Sequence, residues 1–434
     1  MDSISLVIGT IIGTGIFIKA AIMTQQAGSP GWVLLAWVAA GILSLTGALA
    51  YAELGALFPK AGGEYVFLKE GYGNLLAFLY GWMRFWIASP GSIAAYAVGA
   101  ATFAARVYPL DSLGGKSAVA IALVAIFTAL NCLTVKFGGH IQSFMTALKI
   151  GMIAILIFGI FGFSETGTLE NFSYSSPWPG FSAFGAAMLA ALWAFDGWNN
   201  LPMVAGEIER PSRNIPLALG LGTFIILIIY GLTNVAYFYA LTPTQVAESY
   251  SSLHPNALPV GTIAATTFLG DFGVILLSIA FVLSAVGAMN GSILSSARVP
   301  FAMARDGLFI KWLGQVHPKT RSPITALIIQ GIWASALALS GSFDQLTDYV
   351  VFASWIFYAL VTASLFIFRK KLAHIERPYK AWGYPILPSL FLITSVLLLI
   401  NTLITSTEAS LKGLVLICIG IPVYYIFYRN TGVK

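Results

Sequence analysis

A chain of 434 residues, 58% of them hydrophobic and only 9% charged, lies far below the roughly one quarter of charged residues in a soluble domain; this excludes a water-soluble enzyme and defines a polytopic membrane protein. Its apolar runs have helical length, about 20 residues or more, and not the roughly ten-residue alternating pattern of a membrane barrel. The formal charge of +6, from 23 Lys+Arg and 17 Asp+Glu, is a signal of how loops are arranged about a bilayer and not of nucleic acid.

The runs predict an all-α fold of about twelve spanning helices, near residues 3–25, 31–57, 73–104, 116–134, 139–162, 182–206, 214–241, 272–304, 323–340, 345–369, 385–405 and 411–428. The first run holds Gly9-Thr10-Ile11-Ile12-Gly13-Thr14-Gly15-Ile16-Phe17 near its middle. Glycine is costly inside a helix, and non-helical backbone in a bilayer persists only where it is buried in protein or lines a cavity. Gly13-Thr14-Gly15 therefore reads as a break that offers N–H and C=O groups to a ligand. The N-terminus of the second half-helix, at Ile16-Phe17, would face an anion such as a carboxylate. The alternative is a small-residue packing face made by Gly9 and Gly13. Met1-Asp2 brings no basic segment ahead of this run, so no cleavable signal is expected.

After the second run, Phe58-Pro59-Lys60-Ala61-Gly62-Gly63-Glu64-Tyr65 predicts either an interfacial or re-entrant segment or an ordinary surface turn. Glu53 and Arg84, toward the ends of their runs, are expected to anchor at the interface, as is Lys19. Lys149, near the centre of the fifth run, lies too deep to snorkel easily and is a mechanistic candidate, structural pairing being the alternative.

The sixth run repeats the theme of the first in Leu192-Trp193-Ala194-Phe195-Asp196-Gly197-Trp198-Asn199-Asn200, where Asp196 is a mid-membrane carboxylate beside a glycine. Paired interrupted segments at matching places in two halves point to the binding site of a secondary transporter. Residues 1–162 and 182–369 then form a five-plus-five inverted repeat, and 385–429 supply two further helices. In the eighth run Asn290, Ser292, Ser295 and Ser296 precede Arg298; such a patch lines a site or holds helices together. Tyr230, Trp355 and Tyr358 read first as packing. Cys132 and Cys418 lie in apolar runs and suggest neither disulfide nor metal. The histidines His140, His254, His317 and His374 fall in loops, so no Ser/His/Asp or metal-spaced set occurs within the runs. No P-loop is present.

Most of the Lys and Arg residues fall in one set of loops, including Arg369-Lys370-Lys371, while the opposite loops hold Arg106, Lys116 and Lys412. The excess predicts that both termini are cytoplasmic.

With these residues laid out, the chain resembles the L-type amino acid transporter family of the amino acid–polyamine–organocation (APC) superfamily, most of all its bacterial alanine–serine–cysteine and serine/threonine exchangers. The resemblance covers essentially the whole chain. It rests on Gly9 to Phe17, on Ala52-Glu53-Leu54 followed by Pro59 to Tyr65, on Phe195-Asp196-Gly197-Trp198, on Gly206-Glu207-Ile208, and on Asn290-Gly291 with Arg298 and Arg305-Asp306-Gly307. It implies exchange of L-amino acids by alternating access in the bacterial inner membrane. The substrate carboxylate would meet N–H groups around Thr14, Gly15 and Ile16. The α-ammonium would meet carbonyls at Ile11 and Ile12 and in Trp193-Ala194-Phe195. Trp193, Trp198, Tyr230, Lys149, Asn290, Ser292 and Ser295 would gate or link helices. Two departures are Thr14, where members usually carry serine or alanine, and Trp193, where many carry a phenylalanine gate. Animal members link a heavy subunit through a cysteine in the loop after the third span; loop 105–116 has none, so no such partner is expected.

The leading reading is a sodium-independent exchanger of small neutral amino acids, because Thr14, Trp193 and Phe195 would fill the pocket. The alternative is a proton- or sodium-coupled symporter of the same fold. A channel lacks a filter-like loop. No cofactor, metal or nucleic acid is expected. Lys149 is expected to take the place of a sodium ion, donating to carbonyls near Ile8 and Gly9 and to Ser292 or Ser295. Asp196 is expected to hold the broken segment in shape.

Overall fold

The computed structural model describes residues 3–133, 135–340 and 343–431; Met1 and Asp2, used above for the start of the chain, lie outside them, as does Lys434, one of the loop cations. Among the described residues every regular element is helical. The first run is two helices, α1 (Ser3–Ile11) and α2 (Gly15–Ala27), meeting at 41°. Then come α3 (Pro30–Leu57), α4 (Glu64–Tyr72), α5 (Asn74–Met83), a π-helical turn (Arg84–Ala88) and α6 (Ser89–Val107). Next are α7 (Gly115–Leu133), α8 (Val135–Phe163), α9 (Phe181–Phe195) and the short α10 (Asn200–Met203). The second half continues with α11 (Pro211–Ala240), α12 (Pro243–Ala247), α13 (Val260–Leu269), α14 (Asp271–Ser296) and α15 (Arg298–Arg305). It closes with α16 (Ile324–Ser340), α17 (Phe343–Lys371), α18 (Ile386–Thr405) and α19 (Thr407–Thr431).

Among the described residues, 8 helical stretches are long and apolar enough to cross a membrane, or 9 with the bent α1–α2 pair, and α9, α13 and α16 are shorter apolar helices. The apolar runs marked these helices because hydropathy reports length directly. Burial divides them: α7 and α18 bury 22% and 28% of their apolar windows, against 61% for α3 and 72% for the α5–α6 span. The former therefore present most of their side chains to lipid, and the latter form the interior. There α1 packs against α8, α11 and α14, and α2 against α9, which puts both breaks at the centre.

Four features differ from the sequence reading. Residues 58–65 are only in part a surface turn: Pro59 and Lys60 are exposed, and Gly62 to Tyr65 are buried. Gly62 and Gly63, with φ of +113° and +52°, turn the chain into the buried helix α4. The Gly62 N–H donates to the Met203 carbonyl at 2.9 Å, and a Cβ on Gly63 would stand 2.8 Å from the Met203 nitrogen. His140 is an exposed residue of α8, not of a loop. Arg84 is buried in the π-helical turn. Glu53 is 1% exposed and does not reach an interface.

Glu53 instead pairs with Arg369 at 2.6 Å and Arg377 at 2.9 Å, and accepts the Ala381 N–H at 2.6 Å. One carboxylate thus fastens the connector after α17 to α3. Removing one partner of a buried ion pair costs about 3–5 kcal/mol, because the remaining charge stays desolvated. Glu53→Gln is accordingly expected to lower the thermal unfolding midpoint of the detergent-solubilised protein by many degrees. A midpoint equal to that of the unaltered protein would show the cluster to be dispensable.

Candidate functional site

The two breaks face each other across the centre of the bundle. Gly197, with φ +124°, is placed so that a Cβ would stand 2.8 Å from the Thr10 carbonyl group. The Thr10 hydroxyl is 3.0 Å from the Gly197 carbonyl and 2.7 Å from that of Leu6, one turn back. A Cβ on Gly15 would stand 2.6 Å from the Ala194 Cβ. The Tyr230 hydroxyl, reaching in from α11, lies 3.0 Å from the Ile11 carbonyl and 3.1 Å from that of Ala194. It shares one proton between the last turns of α1 and α9.

On the other side of α1, the Lys149 ammonium donates to the carbonyls of Gly9 at 2.8 Å and Ile12 at 2.6 Å. The Ser284 hydroxyl, from α14, donates to Gly13 at 2.9 Å, with the Ile12 carbonyl at 3.3 Å. The expected partners were carbonyls near Ile8 and Gly9 and the hydroxyl of Ser292 or Ser295. Gly9 is met, while Ser284 stands where those serines were expected, about two turns away along α14. Ser295 turns back to the Gly291 carbonyl of its own helix at 2.9 Å. Asn290 takes a hydrogen bond from Asn131 at 2.9 Å and gives one to Gln142 at 3.0 Å, tying α14 to α7 and α8.

The N–H groups of Gly15 and Ile16 open α2 and have no intrahelical acceptor by geometry. The hydroxyl of Thr14, the residue just before them, is fully buried and has no hydrogen-bond partner among the described residues. The Ile12 carbonyl takes the Lys149 ammonium and the longer contact of the Ser284 hydroxyl, whereas the Ile11 carbonyl takes Tyr230 and keeps a lone pair. The walls are aromatic: Trp193 packs on Tyr96 with ring centres 5.9 Å apart, and a Cβ on Gly13 would meet Tyr96 at 2.9 Å and Ala288 at 3.6 Å. Phe195 does not fill this space, because it turns away onto Trp37 at 5.9 Å and Tyr230 at 5.0 Å. On its opposite side Trp193 floors a cavity of about 230 Å³ that Lys19, Gln26 and Ser252 also line.

Asp196 alone among residues 191–200 is not fully buried. It accepts the Tyr358 hydroxyl at 2.7 Å, so Tyr358, read from the sequence as packing, is a polar partner. Trp198 packs between Tyr51 at 4.6 Å and Tyr358 at 5.4 Å. Beyond it Glu64 is fully buried and accepts from Tyr51 at 3.3 Å, from Asn199 at 3.4 Å and from Tyr80. Arg84 donates to Asn200 at 3.3 Å. Burial pushes the Glu64 carboxyl up to about 7, against the Arg84 charge and the hydrogen bonds from Tyr80 and Asn199, which pull it down. Glu64, Tyr80, Arg84 and Tyr358 thus form a polar cluster that reaches the second break through Asp196, Asn199 and Asn200. Sequence reasoning missed Tyr96 and Ser284, single residues on long apolar helices. A signal existed only for Glu64, a carboxylate directly after paired glycines.

This arrangement can bind a zwitterion between two helix ends, and among the described residues no three His, Cys, Asp or Glu side chains gather as a metal site. The sequence profile of the amino acid permease family matches residues 1–426. The serine/threonine exchanger SteT of Bacillus subtilis is 35% identical over 427 residues, covering 98% of this chain and 94% of that one. The human b(0,+)-type amino acid transporter 1 and the human cystine/glutamate transporter are each 31% identical, with 98% of this chain aligned to 87% and 84% of theirs. The broken helices and these whole-length likenesses lead to one conclusion: the chain belongs to the amino acid permease family, whose members here are membrane transporters of the L-type branch and not enzymes.

Proposed function

We propose that the protein is a sodium-independent antiporter of small neutral L-amino acids, namely alanine, serine, cysteine, threonine and glycine, working by alternating access. The observation that carries this is the pair of facing breaks held by one Tyr230 hydroxyl, with unclaimed N–H groups at Gly15 and Ile16 beside an unpartnered Thr14 hydroxyl. The substrate carboxylate binds at those N–H groups, where the α2 dipole favours an anion. Its α-ammonium binds the free lone pair of Ile11 and carbonyls of 193–195. Tyr96 and Trp193 limit the side chain, and Trp193 separates the site from the outer cavity. On this reading the chain is a twelve-span, five-plus-five inverted repeat in a bacterial plasma membrane, with both termini and the Glu64 cluster on the cytoplasmic side. It has no disulfide-linked heavy subunit, since 105–116 lack cysteine. The serine and threonine in the name of the Bacillus relative support the substrate class.

Proteoliposomes test this. Uptake of labelled serine or alanine is expected to rise at least tenfold when a small neutral amino acid is loaded inside, and leucine and tryptophan should compete poorly. Trp193→Ala is expected to widen the range toward leucine, as steric clash with a large side chain is relieved. Equal uptake into loaded and empty vesicles, or leucine competing as well as alanine, would overturn the reading. One observation favours a second reading, coupling to protons: Glu64, with its raised carboxyl, faces Tyr51 of α3, Tyr80 of α5, Arg84 of the π-helical turn and Asn199, with Asp196 nearby. Uptake into empty vesicles driven by an inward proton gradient between pH 6 and 8 would select it.

A further inference from the structure

A groove of about 830 Å³ runs along the outer face of the bundle, away from both breaks. Its long wall is the first half of α11, where Arg213, Leu217, Gly220, Leu221 and Phe224 share one face at helical spacing. Leu45 and Leu49 of α3 form the floor, and Tyr379 and Trp382 of the connector before α18 form the second wall. Gly220 leaves the floor open, since a Cβ there would only touch Leu49 at 3.6 Å.

The exposure of this groove is that of a surface in a membrane. Leu217, Leu221 and Phe224 are 42%, 48% and 47% exposed, and Trp382 is 74% exposed. The same apolar face continues along α11 to Ile228 and Leu232 and along α3 to Ile42, Val38 and Leu35. Acyl chains are therefore its neighbours along its length.

At one end the character changes. Arg213 is exposed, and its guanidinium makes no ion pair or side-chain hydrogen bond among the described residues. Arg210 and Lys380 are exposed close by in sequence on the same two walls; the acids there are Glu209 beside Arg210, Glu207, which pairs with Arg298, and Glu376 on the connector. A cationic end on a two-walled apolar groove matches a phosphodiester head above two acyl chains, and an arginine fork holds phosphate by two hydrogen bonds.

We propose that this groove is a binding site for one anionic glycerophospholipid of the adjoining leaflet, its phosphate at Arg213 and its chains along α11 between Leu49 and Trp382. The site joins elements that the transport machinery uses. The inner face of α11 places Gly222 against Val7 of α1 and carries Tyr230 to both breaks. The connector wall is fastened to α3 through the Ala381–Glu53 hydrogen bond.

Native mass spectrometry of the whole protein, purified in mild detergent and then exposed to phosphatidylglycerol or phosphatidylcholine, tests the site without reference to what is transported. The unaltered protein is expected to retain one phosphatidylglycerol under activation energies that strip phosphatidylcholine. Arg213→Gln, which removes the charge, and Gly220→Leu, which fills the floor, should each reduce that retention at least fivefold while the proteins elute as single symmetric peaks. Trp382→Ala, on an exposed side chain whose loss cannot open the core, gives a third reading from the opposite wall. Equal retention of the two lipids by the unaltered protein would reduce the groove to ordinary annular lipid, and unchanged phosphatidylglycerol retention in Arg213→Gln and Gly220→Leu would place the lipid elsewhere; either result overturns the proposal.

Discussion

Replacing Lys149 by alanine is expected to lower amino acid exchange in proteoliposomes by one to two orders of magnitude without preventing folding. The ammonium is 1% exposed and serves two carbonyls at the end of α1, those of Gly9 and Ile12. Its stem passes against α14, where a Cβ on Gly287 would stand 2.7 Å from the Lys149 Cε. One side chain of α8 thus positions the broken end of α1 against α14. Leaving a buried acceptor unsatisfied costs about 1–3 kcal/mol, and each 1.36 kcal/mol on a barrier is about tenfold in rate. The loss therefore falls on the step in which α1 moves relative to α8. The resident charge also bears on ions: at about 4 Å it repels a sodium ion by roughly 4 kcal/mol at an effective dielectric of 20. Exchange should accordingly be the same in Na⁺ and choline media. Wild-type rates in Lys149→Ala, or strict dependence on Na⁺, would remove this role.

The second large effect is expected from a single methyl group. Gly197→Ala places a Cβ 2.8 Å from the Thr10 carbonyl group and 3.0 Å from the Ile11 nitrogen, all backbone atoms with no flexible end to yield. It also sits at φ +124°, which an L side chain resists. Gly15→Ala meets the Ala194 Cα at 2.8 Å. Either change forces the α1 and α9 ends apart and loosens the hydroxyl contacts that Thr10 and Tyr230 make across them. Exchange should fall tenfold or more in both variants. Gly31→Ala, where a Cβ would meet nothing within 4 Å, supplies the baseline and should exchange normally. Near-normal exchange in Gly197→Ala would mean that the two breaks need not touch during the cycle.

Much of this architecture is legible in the sequence because hydropathy measures length. The predicted runs match α3, α7 and α11 within about three residues. The break at Gly13-Thr14-Gly15 is legible for a related reason, since a bilayer punishes glycine-rich backbone unless something else uses it. What hydropathy does not carry is azimuth, the direction in which a residue on a long apolar helix points. Tyr96 and Ser284 are ordinary members of their runs until α6 and α14 meet the break after α1. Depth misleads in the same way. Glu53 lies near the end of its span and Arg84 in the first third of its own, as snorkelling residues can, yet the connector carrying Arg377 and the segment carrying Asn200 fold back over them. Phe195 is expected from the sequence to fill the pocket together with Trp193, but residues two apart on a helix diverge by about 200°, and Phe195 faces Tyr230 instead.

The two breaks hang from their supporting helices by different chemistry. Lys149 on α8 offers three protons to neutral carbonyls, while Tyr358 on α17 offers one proton to the Asp196 carboxylate. An ammonium can pass from one acceptor to the next as α1 turns and is never without a partner; a phenol with a single proton either holds or lets go. The first tether therefore yields by degrees and the second like a catch. The two helix ends are thus held unequally: a shift of the α1 end can be met by a change of acceptor at Lys149, whereas a shift of the Asp196 segment away from Tyr358 must break that contact outright.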